Sequence, residues 1–147
     1  MKNILKLFLI FIFIFTFSAC FNSELQRIVY SNTTETLKAD KLEIIDFHST
    51  YQCYSCVYIG DKTLEVLENN FAEEMQDGKI SFQKINVDEV QNKEITNKYK
   101  ARGSSLFFNV IIDDQDNISE DAAVWRLVGR DKDFEDYLVN KINNLIK

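Results

Sequence analysis

The sequence predicts an α/β fold in which a small mixed central sheet carries helices on both faces. Three observations lead there. Apolar runs of strand length at Leu42–Phe47, Ile80–Val87 and Ser105–Ile112 alternate with segments of helical period. Hydrophobic side chains make up 46% of 147 residues, enough for one core and too few for two ordinary domains. No internal repeat or linker divides the chain, which holds four glycines and no proline.

Each element has its own signal. Leu42–Phe47 (LEIIDF) is apolar on both faces toward its end, as a strand buried between layers should be. From Tyr54 to about Met75 a helix is predicted, with Val57, Gly60, Leu64, Leu67 and Phe71 on one stripe and Gly78 closing it. Ile80–Val87 is rich in β-branched and aromatic residues and reads as a strand. Asp88–Tyr99 reads as a short helix, and Ser105–Ile112 (SLFFNVII) is the clearest strand. Asp113–Asn117 is a turn or loop, lacking the glycine and terminal glutamate of a calcium loop. Ser119–Gly129 fits either an edge strand over Ala123–Val128 or a short helix capped by Ser119 and ended by Gly129. Asp131 then caps a terminal helix with Phe134, Tyr137, Leu138, Ile142 and Leu145 on one side.

The N-terminus has the pattern of a processed leader. Lys2 and Lys6 precede an apolar run, Leu7–Phe17, interrupted only by Thr16, and the whole stretch is about 14 residues counted from Ile4. That is short of the roughly 20 needed to span a bilayer as a helix. Phe17–Ser18–Ala19–Cys20 resembles the lipobox of bacterial lipoproteins, with phenylalanine where that box usually starts on leucine. The resemblance implies removal of residues 1–19 and lipidation of Cys20. Residues 20–39 would then form a tether and residues 40–147 the folded domain, exported and anchored to a bacterial membrane facing the periplasm. Loss of Lys2 and Lys6 takes 17 basic residues to 15 against 23 acidic ones, a net charge of −8. Such a surface argues against nucleic-acid binding. A single histidine, His48, excludes a site built mainly on imidazole.

Cys53 and Cys56 are the only thiols beyond the leader, in a compartment where disulfides persist. The predicted helix begins at this CxxC, so the first sulfur sits at a helix N-terminus, where unpaired N–H groups and the dipole favour thiolate. Cys53 is thus the candidate attacking group and Cys56 the group that resolves a mixed disulfide. A stable structural disulfide and metal capture are the other uses of such a pair. Asp46, within the apolar strand, either moves protons for Cys56 or lies hydrated at a strand edge. His48 is two residues on and shares that face if the strand continues, where it stabilises a thiolate or holds the loop. Tyr51, Tyr54 and Ser55 surround the pair and are candidates to face substrate. No cofactor beyond the dithiol is predicted.

The order IIDF, CYSC, INVDE, Tyr99–Lys100–Ala101–Arg102–Gly103 and SLFF resembles the thioredoxin-like superfamily. Within it, Phe47–His48, Thr50, Val66–Glu68, Asn70–Phe71, Asn86–Glu89, Leu127–Gly129, Phe134 and Asp136–Tyr137 resemble the nitrophenyl compound nitroreductase subunit (ArsF) family, over about residues 40 to 146. The resemblance implies a thiol–disulfide oxidoreductase with Cys53 nucleophilic, Cys56 resolving and Asp46 as the buried acid. Its partners would be envelope thiol or disulfide proteins and a membrane electron donor or acceptor. Nothing in the residues supports nitroreduction. Ser104 or Ser105 stands where the superfamily places a cis-proline facing the dithiol. A more open, polar approach to the sulfurs follows, and with it a Cys₂His alternative in which His48 helps hold Cu(I) or Zn(II) transiently.

Overall fold

A strand with two buried faces organises the protein. The computed structural model describes residues 38–146; the leader, Cys20 and nearly all of the tether lie outside the described residues. β1 (Lys41–His48) pairs in parallel with β2 (Ile80–Asn86) and antiparallel with β3 (Ser105–Ile112), and β4 (Gln115–Glu120) closes the far edge antiparallel to β3. The strand order is β2-β1-β3-β4. Between β1 and β2 run α1 (Tyr54–Asn70) and α2 (Ala72–Gln76). A 3₁₀ turn (Val90–Asn92) and α3 (Lys93–Tyr99) connect β2 to β3. After β4 come a second 3₁₀ segment (Ala122–Leu127) and α4 (Asp131–Ile146). This mixed sheet flanked by helices is a thioredoxin-like α/β fold, as the sequence predicts. No helix among the described residues is long and apolar enough to cross a membrane.

Alternation along β1 divides the core in two. Leu42 and Ile44 pack with Ile59, Val66 and Leu67 of α1 and with Phe134, Leu138 and Ile142 of α4. Ile45 and Phe47 point the other way, against Ile85, Tyr99, Ala101 and Phe107. There Phe107 meets the rings of Phe47 and Tyr99 edge-on, at centroid distances of 5.6 and 5.7 Å. Each fully buried side chain of this size contributes about 1.5–3 kcal/mol through its lost contact with water, which commits β1 to the middle of the sheet.

Four local expectations are corrected. The long helix breaks at Phe71, whose backbone (φ −138°, ψ 28°) turns its ring into the core while its N–H still reaches Leu67 O at 2.9 Å. The buried stripe of α1 is Ile59, Gly60, Thr63, Val66 and Leu67, whereas Val57 is exposed. The stripe therefore shifts sideways relative to the pattern through Val57 and Leu64. β4 includes residues read as a turn. The turn itself is only Asp113–Asp114, both at positive φ (49° and 59°), which is the backbone a two-residue hairpin needs. Finally, Ala122–Leu127 is neither edge strand nor Ser119-capped helix. Asp121 caps it, accepting from the Ala123 N–H at 3.1 Å, and Gly129 follows at φ 77°.

Candidate active site

The loop after β1 delivers Cys53 to the start of α1. Val87 N–H donates to His48 O at 2.8 Å, Thr50 N–H to Asp88 Oδ2 at 2.8 Å, and Asn86 Nδ2 to Thr50 Oγ1 at 3.1 Å. The loop is thus tied to the end of β2 before the helix begins. Cys53 is the N-cap of α1 in extended conformation, and its Sγ accepts from the Cys56 N–H at 3.2 Å. The two sulfurs are joined as a disulfide with Cα atoms 5.1 Å apart. No acidic residue stands in the first turn of α1. The positive end of the helix dipole is therefore not offset locally, and a thiolate at Cys53 would receive both that field and the Cys56 N–H.

Asp46 lies on β1 facing α1 and is only 3% exposed, so it is not hydrated at a strand edge. Its neighbour across the parallel register is Lys84 of β2. Burial pushes its carboxyl up to about 6, countered by the charges of Lys84 and His48 and assisted by Asp61. A Cβ at Gly60 would fall on Asp46 Oδ2 and lie 2.9 Å from its Cγ. The carboxyl thus occupies space that only glycine leaves. Cys56 and Gly60 are four residues apart, on one face of α1. The acid is seated against the same face of the helix that carries the second cysteine, one turn further along.

The remaining predicted residues divide. His48 is half-buried and its Nδ1–H donates to Ser49 O at 3.1 Å, so it braces the loop. Tyr51 and Tyr54 are 94% and 77% exposed, and Ser55 is half-buried in the first turn of α1. Ser105 pairs opposite Phe47, so the loop before β3 comes to the same end of the sheet as the dithiol. Its Oγ donates to Gly103 O at 3.1 Å, and Ser104 beside it is half-buried. Both serines line a pocket of about 270 Å³ with Lys100, Arg102 and Glu120. Among the described residues no group of three His, Cys, Asp or Glu side chains is placed to hold a metal while Cys53 and Cys56 are joined as a disulfide. Gly60, Asp61 and Lys84 were not legible as site residues. The available signal was the one-turn offset of Gly60 from Cys56 and a lysine in strand register with a buried acid.

No family model and no curated protein matches the chain, so the finer resemblance to the ArsF family gains no support. Among solved structures, the chain is similar to the germline-specific thioredoxin Deadhead of Drosophila melanogaster, at 23% identity and a TM-score of 0.46, covering 85% of this chain and 93% of that one. Thioredoxin of Malassezia sympodialis is similar at 22% identity and a TM-score of 0.42, covering 67% and 79%. The Trx4 domain of ERdj5 gives 13% identity and a TM-score of 0.45, covering 74% and 86%. Likeness of this strength carries no argument by itself, and the fold assignment rests on strand order and register.

Proposed function

We propose that this protein is a thiol–disulfide oxidoreductase of the bacterial cell envelope, held at the membrane by lipid on Cys20. The observation that carries the reading is the Cys53–Cys56 disulfide at the N-terminus of α1, with the buried Asp46 against the same helix. In the reduced form the Cys53 thiolate attacks one sulfur of a substrate disulfide. A mixed disulfide forms and one substrate thiolate leaves. Asp46 accepts the Cys56 proton, and the Cys56 thiolate then attacks Cys53 Sγ. The internal disulfide re-forms and the second substrate thiolate departs, so two electrons have passed to the substrate. Run backwards, the same steps oxidise a substrate dithiol. A membrane donor or acceptor restores the starting state.

A purely structural role is the weaker reading, because a disulfide closing so short a loop removes little entropy from the unfolded chain. Exposed Tyr51 and Tyr54 beside Cys53 give substrate protein an aromatic surface at the reacting sulfur. The test is trapping in cells. C56S should accumulate covalent mixed disulfides with a small set of envelope proteins, and C53S should accumulate none. Equal or absent trapping by the two variants would leave only the structural reading. The tether is tested separately: C20S should move the protein from the membrane to the soluble fraction, and membrane retention would refute lipid attachment at Cys20.

A further inference from the structure

We infer that Asp61 is a positioning residue for the buried acid: by drawing the Lys84 ammonium to the surface of α1, it keeps Asp46 able to take and return a proton. The inference rests on the proposed reading of the dithiol and names a residue outside the CxxC that regulates it. Its basis is the way three charged groups converge on one turn of α1.

Lys84 and Asp46 are cross-strand neighbours on the α1 face of the sheet. Without another carboxylate in reach, the partly exposed lysine would pair with the buried acid. A cation on the acid holds it as carboxylate, which accepts a proton poorly. The ammonium instead pairs with Asp61 Oδ1, on a carboxylate that is 65% exposed. Gly60 makes this possible. A Cβ built there would meet Asp46 Oδ2 and stand 3.1 Å from Lys84 Cε, so both side chains pass through the space that glycine leaves open. The lysine stem runs past the acid while its charged end is held at the surface. Asp61 also places a negative charge near Asp46, which opposes ionisation of the acid. Both effects act in the same direction.

The charged groups that act on Asp46 are Lys84 on β2, Asp61 on α1 and His48 on its own strand, and the nearer cysteine by helix position is Cys56, one turn before Gly60. Across from it on β3 stands Leu106, which brings no charge. As an exposed ion pair, Asp61–Lys84 would contribute little to stability. Its consequence is read in proton transfer.

The test is the pH profile of single-turnover disulfide reduction by the full-length reduced chain, with a dithiobenzoate disulfide as probe. D46N first identifies the inflection that belongs to Asp46. D61N should move that inflection down by about one pH unit, the scale expected when a nearby cation is freed to pair with the acid. K84Q should move it up. In the K84Q background, D61N should shift it by less than half as much, because Asp61 then has no lysine to hold. A merely structural role for the pair would not give opposite signs. An inflection left in place or raised by D61N overturns the inference while the oxidoreductase reading stands. Absence of exchange by the wild type overturns both.

Discussion

Asp46 and Asp121 are equally buried, at 3% exposure, and their surroundings are opposite. Asp121 is surrounded by donors. It accepts from the Ala123 N–H at 3.1 Å, from the Tyr137 hydroxyl at 2.8 and 3.0 Å, and from Lys141 Nζ at 2.9 Å. Lys141 in turn lies 4.4 Å from the centroid of the Phe108 ring. This network joins the end of β4, the second 3₁₀ segment and α4 into one corner. Asp46 has a lysine in register but no hydrogen bond to its carboxyl among the described residues, and its neighbour's ammonium is engaged elsewhere. A buried charge with its partners in place holds structure; one without them is left with a proton to exchange.

The largest expected effect is on the satisfied acid. D121A leaves Lys141 half-buried without its counter-charge and Tyr137 without its acceptor. It should cost about 3 kcal/mol in denaturant unfolding, with dithiol reactivity unchanged per folded molecule. An unaltered midpoint would mean the corner does not depend on the network.

D46N should do the reverse: slow the resolving step about 100-fold and stabilise the fold. The sign follows from the raised carboxyl. Its ordinary value is 3.8, and in the fold it rises to about 6, so the folded state binds the proton more tightly. Stability from this group is fully present at low pH and is lost as pH rises through about 4 to 6, leaving the charged form costing about 3 kcal/mol at neutral pH. D46N should remove that fall and gain about 2 kcal/mol at pH 7.5. Parallel stability–pH curves for D46N and wild type would break the comparison.

Two smaller effects sharpen it. Burial and the bond to Asp121 push the Tyr137 phenol up to about 12, so it donates throughout the neutral range. Y137F should cost about 1.5 kcal/mol, as for a bond to a charged acceptor. K132A, which breaks the exposed Lys132–Asp136 pair on α4, should leave the unfolding midpoint where it was.

How far the sequence foretold these two acids differs. Asp46 stood out because a carboxylate inside LEIIDF violates the apolar pattern, and the CxxC nearby gave the violation a use. Asp121 did not stand out, because its partners Tyr137 and Lys141 are 16 and 20 residues away and meet it only in the folded corner. The same physics explains β4. Its pairing to β3 is supported by Asn109, which accepts from the Asn117 N–H and donates to Asp116, and by Asn117 Nδ2 on Val110 O. Hydrophobic alternation cannot reveal a strand held by polar side chains. β1 and β3 were legible because their alternate residues fill two cores. The predicted stripe of α1 differs from the buried one because the exposed first turn still carries an apolar residue, Val57, which periodicity counts as core.

The central claim is that Cys53 is an activated nucleophile, and the direct measurement is the pKa of its thiol in the reduced full-length protein, read together with its exchange rate. The helix N-terminus and the Cys56 N–H on Cys53 Sγ predict titration well below the ordinary thiol value of about 8.5, with exchange faster than a model thiol at neutral pH. A thiol that titrates at or above about 8.5 and exchanges no faster than the model would contradict the account.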